Sequence, residues 1–192
     1  LVPRFTSFRL INNEDLSFTK VTQQIAEDEY RNMLIVKDVL EVLKEGRSPI
    51  ILTSRTSHVA LLAELLQPHC PNVITLVGSN STKEKRQKME QLLSIPPSEP
   101  LVIVATGKYI GEGFDYARLD TLFLVSPVSW KGIVAQYAGR LHREHKSKQE
   151  VLIYDYIDIR VPVCESMYRK RLKGYASIGY KIRNNEVFDR LF

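Results

Sequence analysis

Several residue patterns that carry specific chemistry are absent from this chain of 192 residues. No Gly-x-x-x-x-Gly-Lys-Ser/Thr segment occurs, so the sequence contains no loop of the kind that cradles nucleotide phosphates. No Gly-x-Gly-x-x-Gly follows the first apolar strand, which argues against a dinucleotide-binding enzyme. The pair Asp28-Glu29 lies in a polar, helix-like stretch and not at the end of an apolar strand. The sequence therefore shows no carboxylate pair that is placed to hold magnesium.

Cysteines and long apolar runs are also scarce. The two cysteines, Cys70 and Cys164, lie far apart, and no Cys-x-x-Cys occurs. We therefore expect free thiols in a reducing cytosol and no disulfide. No apolar run approaches the roughly 20 residues that a membrane-spanning helix needs, and no secretory signal opens the chain. These absences predict a cytoplasmic protein without a membrane partner.

Charge and composition are those of an ordinary globular protein. Lys and Arg number 27 against 22 acidic residues, which gives a net charge of +5. That mild excess permits an anionic partner such as nucleic acid but does not require one. His142 and His145 are three residues apart, but no third ligand lies nearby, so no metal site is expected.

Apolar strand-like segments alternate with amphipathic helical segments along most of the chain. This alternation predicts an α/β domain of three layers, in which a mainly parallel sheet is covered by helices on both faces. We expect an extended lead-in at 1–18, the domain at 19–158, and a basic-aromatic extension packed on it at 159–192. The predicted strands are 50–54, 73–77, 101–105, 121–125 and 151–155, and the predicted helices are about 19–45, 57–66, 82–93 and 131–142.

One predicted helix carries Gln136, Arg140 and Arg143 at positions i, i+4 and i+7, so all three project from one face. Guanidinium groups are rigid, permanently charged forks, and two on one face can clamp a polyphosphate. The alternative is a solvated basic face near a helix C-terminus, where the helix dipole favours arginine. The glycine-rich segment Gly111-Glu112-Gly113-Phe114-Asp115, just upstream, favours the phosphate interpretation.

These two segments resemble the last two motifs of superfamily 2 helicases, which are nucleic-acid-stimulated ATPases built from two RecA-like domains. The segment Ile50–Arg55 is similar to the first motif of the second domain, and Val77-Gly78 followed by Arg86 is similar to its next strand end and helix. The resemblance covers residues 32 to 158 and rests on the order and spacing of these four elements. It implies a C-terminal RecA-like domain, closer to the restriction-enzyme and DNA-repair branches than to the DEAD-box proteins.

The resemblance also implies a divided ATP site. Arg140 and Arg143 would be catalytic arginine fingers for ATP and Mg²⁺ held at the interface with the N-terminal RecA-like domain, and Gln136 would orient that face. Gly113 and Asp115 would contact the nucleotide, with the carboxylate accepting a hydrogen bond from a ribose hydroxyl. The alternative for these two is a plain glycine-rich turn with an aspartate cap. The chain alone is not expected to hydrolyse ATP.

A second set of residues follows the predicted strands and would contact nucleic acid, with DNA expected rather than RNA. The C-terminal ends of parallel strands share one edge of the sheet, where ligands gather. The family's usual threonine position falls on Gly107, one residue after Thr106, and backbone N–H groups there could hold a phosphate. Ser54 could instead cap the following helix, and Trp130 could stack a base or pack in a hinge. The implied nucleic-acid residues are Thr53, Ser54, Arg55, Gly78, Thr106 and Gly107.

Two other functions remain open from the sequence. The chain could be a non-catalytic RecA-like module that binds nucleic acid or acts as a scaffold, although the intact Arg140 and Arg143 argue against a degenerate site. A small-molecule Rossmann enzyme is the third possibility, and the missing glycine fingerprint weakens it.

Overall fold

A computed structural model of the chain describes residues 1–11, 16–111, 114–129, 133–143, 148 and 150–183. Six strands form one sheet in the order β1-β6-β5-β2-β4-β3, and every pairing is parallel. The predicted α/β class with a parallel sheet is confirmed. The strands are β1 (Val2–Phe5), β2 (Pro49–Thr53), β3 (Val73–Leu76), β4 (Val102–Thr106), β5 (Thr121–Leu124) and β6 (Leu152–Ile157). The helices are α1 (Phe18–Glu27), α2 (Glu29–Lys44), α3 (Thr56–Leu66), α4 (Thr82–Ser94), α5 (Gly107–Gly111), α6 (Ile133–Leu141) and α7 (Pro162–Ser177).

Helices cover both faces of the sheet, which explains why the central strands are apolar throughout. Successive side chains of a strand point to opposite faces. Ile50 and Leu52 therefore pack in one core with α4, α5 and α6. Ile51 between them packs in a second core with α2 and α3. The strands β2 and β4 lie between these two cores, and all five residues of each are buried.

The sheet register brings the strand ends together. Thr53, the last residue of β2, is paired with Thr106, the last residue of β4. Gly107 follows at once and begins α5. As the sequence predicts, the polar residues after the strands lie at one edge of the sheet.

Three elements differ from the sequence prediction. Residues 2–5 form the edge strand β1, which pairs with β6. The single helical region expected from 19 to 45 is two helices, because Asp28 leaves the helical conformation and its side chain accepts a hydrogen bond from the Arg31 N–H. The short helix α5 was not predicted, since five residues are too few to show a periodic pattern.

The C-terminal extension is anchored on the sheet through a buried ion pair. The Arg171 guanidinium, on α7, donates from Nε and Nη2 to the two carboxylate oxygens of Asp155, each at 2.8 Å. The Tyr175 hydroxyl donates to the same carboxylate at 3.1 Å. Packing of the extension on the domain is thus observed as far as residue 183; residues 184–192 lie outside the described part.

Cys70 and Cys164 are both buried free thiols, as predicted. Burial raises the pKa of the Cys164 thiol to about 12, because the thiolate would lose its hydration. None of the described helices has the length and apolar character needed to cross a membrane.

Candidate functional site at the strand ends

A pocket of about 230 Å³ opens at the C-terminal edge of the sheet. Its walls come from the ends of β2, β4 and β5, from the start of α5 and from one residue of α6. Four of the predicted nucleic-acid residues line it: Thr53, Ser54, Thr106 and Gly107. The remaining lining residues are Leu52, Lys108, Leu124, Ser126, Val128 and Tyr137.

Three hydroxyl groups meet at the end of β2. The Thr53 Oγ1 lies 3.0 Å from the Ser126 Oγ, which follows β5. The Ser54 backbone N–H donates to the Ser126 Oγ at 2.9 Å, and the Ser54 hydroxyl lies 3.3 Å from the same oxygen. Ser54 makes no cap for α3, because the N-cap residue of that helix is Arg55 and it forms no side-chain cap bond. These contacts join two neighbouring strand ends into one polar cluster.

A buried histidine stands behind this cluster. The His58 Nδ1 lies 2.8 Å from the Thr53 Oγ1, and its Nε2 lies 2.9 Å from the Asn32 Oδ1 on α2. Burial first, and then the charges of Arg31 and Arg55, lower the pKa of His58 to about 3. The ring is therefore neutral at physiological pH, with one nitrogen that donates and one that accepts.

Arg55 and Gly78 lie beside the cluster and not in the pocket wall. One end of the half-buried Arg55 guanidinium donates to the Thr19 carbonyl at 3.3 Å. The Gly78 N–H donates to the Thr106 hydroxyl oxygen at 3.1 Å. A Cβ at position 78 would lie 3.0 Å from Cγ and Cδ of Lys108, so glycine allows this close approach.

On the far wall of the pocket, α6 meets α5 through Tyr137. Its hydroxyl donates to the Gly107 carbonyl. A Cβ at position 107 would lie only 3.1 Å from that hydroxyl oxygen. Burial raises the pKa of Tyr137 to about 12, so the phenol keeps its proton. This bond fixes the start of α5 against the helix that carries the arginines.

Arg140 and Arg143 contact different partners. Arg140 is half-buried and donates to the Ile110 carbonyl at the end of α5. Arg143 lies just past the end of α6 and forms an ion pair with Asp115. The side chains of this pair are 59% and 38% exposed. The structure thus brings together two residues to which the sequence resemblance assigned separate parts of a nucleotide site, and it does not show the arginines as a joint clamp.

The remaining predicted residues are placed as follows. Gln136 is exposed on α6. Gly113 and Trp130 lie outside the described residues, so their predicted roles stay predictions. Glu112 and His145, for which no role was predicted, lie outside them as well.

Sequence reasoning gave no role to four residues that the structure places in or behind the pocket. Ser126 directly follows the predicted strand 121–125, and Tyr137 stands next to Gln136, but neither position by itself indicates a role. His58 and Asn32 showed no signal, because their partners lie 5 and 26 residues away in the chain. Spacing along a single element cannot reveal contacts that form only when helices and strands pack.

The strand order and the motif-bearing edge define a RecA-like α/β domain. A solved structure, that of T4 UvsW, aligns with a TM-score of 0.69 at 20% identity and covers 88% of this chain and 37% of that one. This alignment confirms the predicted RecA-like fold. No family model matches the chain.

Two viral proteins are similar in sequence. The transcript termination protein A18 of fowlpox virus is 26% identical over 165 residues, which cover 85% of this chain and 35% of that protein. The putative helicase 161L of invertebrate iridescent virus 6 is 28% identical over 184 residues, which cover 91% of this chain and 40% of that protein. The chain therefore spans well under half the length of these relatives.

Proposed function

We propose that this chain is the second motor domain of an ATP-dependent superfamily 2 helicase or translocase. In this proposal a partner N-terminal RecA-like domain supplies the phosphate-binding loop and the magnesium ligands. The described chain supplies arginine side chains to the ATP site and part of the nucleic-acid track. The length of the viral relatives supports the proposal, because more than half of each lies outside the matched region.

The observation that carries the proposal is the contact between Arg143 and Asp115. These residues are 28 positions apart, and the end of α6 brings them into an exposed ion pair. An exposed pair of this kind contributes only about 0–1 kcal/mol. The pair can therefore open at little cost, which frees Arg143 for a phosphate and Asp115 for a ribose hydroxyl.

The proposed roles of the two arginines differ. Arg143 is exposed, and in this proposal it reaches a γ-phosphate on the partner domain, where a guanidinium stabilises the charge of the transferring phosphoryl group. Arg140 is tied to the Ile110 carbonyl, so its contribution to the ATP site requires that this contact be exchanged when the two domains close. Gln136, exposed on the same helix, orients this surface.

The pocket at the strand ends is the proposed contact for nucleic acid. Its hydroxyls, the N–H groups at the start of α5 and the nearby Arg55 offer donors to phosphate oxygens without reading base identity. The form of the motifs favours DNA and a restriction-type or repair-type helicase, and the two free thiols favour a cytoplasmic location. One relative bears the name of a transcript termination protein, so RNA is the alternative track that binding experiments need to include.

A non-catalytic scaffold is the second candidate, and Arg143 separates the two functions. In the complete protein, Arg143→Ala is expected to lower ATP turnover by about 10³-fold or more and to leave nucleotide binding nearly unchanged, because a finger acts mainly on transition-state charge. Steady-state turnover and equilibrium binding of labelled ATP measure the two effects.

The matched control is Arg169→Ala, which removes another exposed, ion-paired arginine, on α7. Turnover in that variant should stay within about twofold of the parent, as expected for a surface site. A loss below about tenfold for Arg143→Ala would assign that arginine a positional role. No nucleic-acid-stimulated turnover in the complete protein would favour the scaffold.

A further inference from the structure

The hydrogen-bond network behind the strand-end pocket has only one consistent direction. The Asn32 amide Nδ2 donates to the Ala26 carbonyl at 2.9 Å, and a carbonyl can only accept. The Asn32 Oδ1 therefore faces His58 as an acceptor, and the His58 Nε2 must carry the hydrogen of the neutral ring. The His58 Nδ1 is then an acceptor, and the Thr53 hydroxyl donates to it at 2.8 Å.

The donor and acceptor roles of His58 also determine those of the hydroxyl groups at the strand ends. Because the Thr53 hydroxyl donates its one hydrogen to His58, it must act as the acceptor in its 3.0 Å contact with the Ser126 hydroxyl. Ser126 in turn accepts from the Ser54 N–H and from the Ser54 hydroxyl. A hydroxyl has one hydrogen and two lone pairs. Thr53 and Ser126 have therefore committed their hydrogens to partners inside the protein.

Two other hydroxyls at the pocket can donate to a ligand. The Ser54 hydroxyl is exposed, and its bond to Ser126 is long, at 3.3 Å, so this hydroxyl can turn from Ser126 to a phosphate oxygen. Thr106 accepts from the Gly78 N–H. Its own hydrogen has no acceptor among the residues that the structure describes. The Lys108 side chain lines the same pocket and supplies a positive charge.

We propose that Thr53 and His58 are positioning residues, which fix the turn after β2 and do not touch the nucleic acid. In the proposed function the phosphate then meets the hydroxyls of Ser54 and Thr106. This division rests on the proposed function, since it assigns roles within the same nucleic-acid contact. Thr53 and His58 act through Ser126. They direct the Ser126 hydroxyl hydrogen towards Thr53 and away from the pocket. The Ser126 oxygen then accepts from the Ser54 N–H, and this bond fixes the turn after β2.

The surroundings keep the imidazole in the neutral form that this direction requires. The ring is packed between Asn32, on α2, and Thr53, at the end of β2. The charged groups that act on it are Arg31, itself paired with Asp158 at 2.9 Å, and Arg55. Both charges disfavour a second proton on the ring.

The first test is the tautomer of His58 in the free chain, measured by long-range ¹H–¹⁵N correlation spectra of ¹⁵N-labelled protein. We expect the hydrogen on Nε2 at every pH from 5 to 8. A hydrogen on Nδ1, or on both nitrogens within that range, would overturn the proposed direction of the network. This measurement needs no nucleic acid, so it stands even if the proposed function fails.

The second test follows the same ring while a labelled single-stranded oligonucleotide of mixed sequence is added at low salt. The His58 Nδ1 resonance should stay where it is, because the Thr53 hydroxyl continues to donate its hydrogen bond to that nitrogen, while the amide resonances of Ser54 and Thr106 shift. A shift of the Nδ1 resonance at saturation would show that Thr53 turns to the phosphate, and would overturn the proposal.

Binding affinities of variants complete the test. Ser54→Ala and Thr106→Val should each weaken oligonucleotide binding by about tenfold, the size expected for one hydrogen bond to a charged group. Thr53→Val removes the hydroxyl that donates to the His58 Nδ1 and should shift the His58 resonances, whereas Thr53→Ser keeps the hydroxyl and should restore them. The control Ser94→Ala alters an exposed serine at the far end of α4 and should change nothing.

These outcomes distinguish the proposed nucleic-acid contact from the proposed direction of the hydrogen-bond network. Unchanged affinity in both Ser54→Ala and Thr106→Val would overturn the phosphate assignment. An absence of oligonucleotide binding by the parent chain at low salt would refute the proposed nucleic-acid contact, while the tautomer of the free chain still decides the direction of the network.

Discussion

His58 carries a consequence for stability as well as for the pocket. The pKa of a histidine in an unfolded chain is near 6.5, and burial beside Arg31 and Arg55 lowers it to about 3 in the folded protein. At pH values above 6.5 the ring is neutral in both states, so its contribution to stability is fully present. Below pH 6.5 the His58 ring becomes protonated in the unfolded chain but stays neutral in the folded chain.

We therefore expect the free energy of unfolding to fall as the pH drops from 6.5 towards 3. The contribution of His58 is at most about 1.4 kcal/mol per pH unit in that window. Urea titrations at several pH values, compared between the parent and His58→Gln, isolate this contribution, because the variant lacks the ionisable ring. His69→Gln replaces an exposed histidine and serves as the control. Equal pH dependence in the parent and His58→Gln would contradict the expectation.

At the scale of single residues, the sequence predicted positions better than partners. Thr53, Ser54, Thr106 and Gly107 were expected at one edge, and the structure places all four in one pocket. The hydrogen bond of His58 to Asn32 was not predictable, because it depends on how α2 packs against α3. The side chain of a buried polar residue is directed by three-dimensional neighbours, and these leave no periodic trace in the sequence.

At the scale of elements, the helical region before β2 shows where sequence patterns stop being informative. An apolar stripe runs through the whole segment from 19 to 45, because α1 and α2 both pack against the body of the protein. Asp28 interrupts the helix without glycine or proline. Its carboxylate accepts from the Arg31 N–H at 2.7 Å, and so it begins α2 as an N-cap.

Asp28→Ala should lower the free energy of unfolding by about 1 kcal/mol, the usual size of a lost N-cap. The alanine side chain cannot accept the Arg31 N–H, so the first turn of α2 loses one hydrogen bond. Urea denaturation at neutral pH measures the change. Glu64→Ala alters an exposed residue inside α3 and is the control, with an expected change below about 0.5 kcal/mol. A similar loss in both variants would mean that Asp28 contributes only as a surface charge.

Strands and long helices were predictable for a different reason. A buried parallel strand must be apolar on both faces, so β2, β4 and β5 stand out as short uninterrupted apolar runs. The strand β1 was not predicted because only four of its residues pair with β6, at the edge of the sheet, and one of them is the charged Arg4. The Arg4 guanidinium is bound by Asp38 on α2 through two bonds of 2.7 Å, a contact that becomes visible only after folding.

At the scale of the whole molecule, one edge of a parallel sheet gathers residues from distant parts of the chain. This geometry follows from topology, so the sequence alone could place the predicted motifs together. The pairing of Arg143 with Asp115 could not be foreseen, because it depends on where the end of α6 meets the loop after α5. In the proposed motor, this domain supplies arginine and hydroxyl side chains. The phosphate-binding loop comes from another domain, because this sequence contains none.

We accordingly expect the isolated chain of 192 residues to show no appreciable ATP hydrolysis, with or without single-stranded DNA. The physical reason is that the sequence contains neither a phosphate-cradling loop nor an Asp-Glu pair at a strand end for magnesium. A phosphate-release assay on stringently purified protein measures this. The same assay on the Arg143→Ala chain identifies contaminating activity, which would not change with the substitution. Steady turnover that disappears in that variant would contradict the two-domain proposal.

The last prediction concerns the net charge of +5 and Arg55, which lies beside the strand-end pocket. Arg55 is half-buried, and only one of its guanidinium nitrogens has a described hydrogen bond, to the Thr19 carbonyl. In the proposed function the other donors of this group bind a phosphate of the nucleic-acid backbone. Such contacts weaken steeply as salt rises, because bound counterions are released from the nucleic acid.

Arg55→Ala should therefore weaken binding to a similar extent for unrelated sequences and reduce the dependence of log Kd on log salt by about one. Fluorescence anisotropy with labelled DNA and RNA oligonucleotides, at four or more salt concentrations, measures the affinity and the slope together. Arg169→Ala removes the same charge from an exposed site on α7, so it controls for the change in net charge alone. An unchanged slope in Arg55→Ala would show that Arg55 does not contact a phosphate. If affinity were lost for only one oligonucleotide sequence, Arg55 would contact a base. That result would contradict the proposed contact with the phosphate backbone.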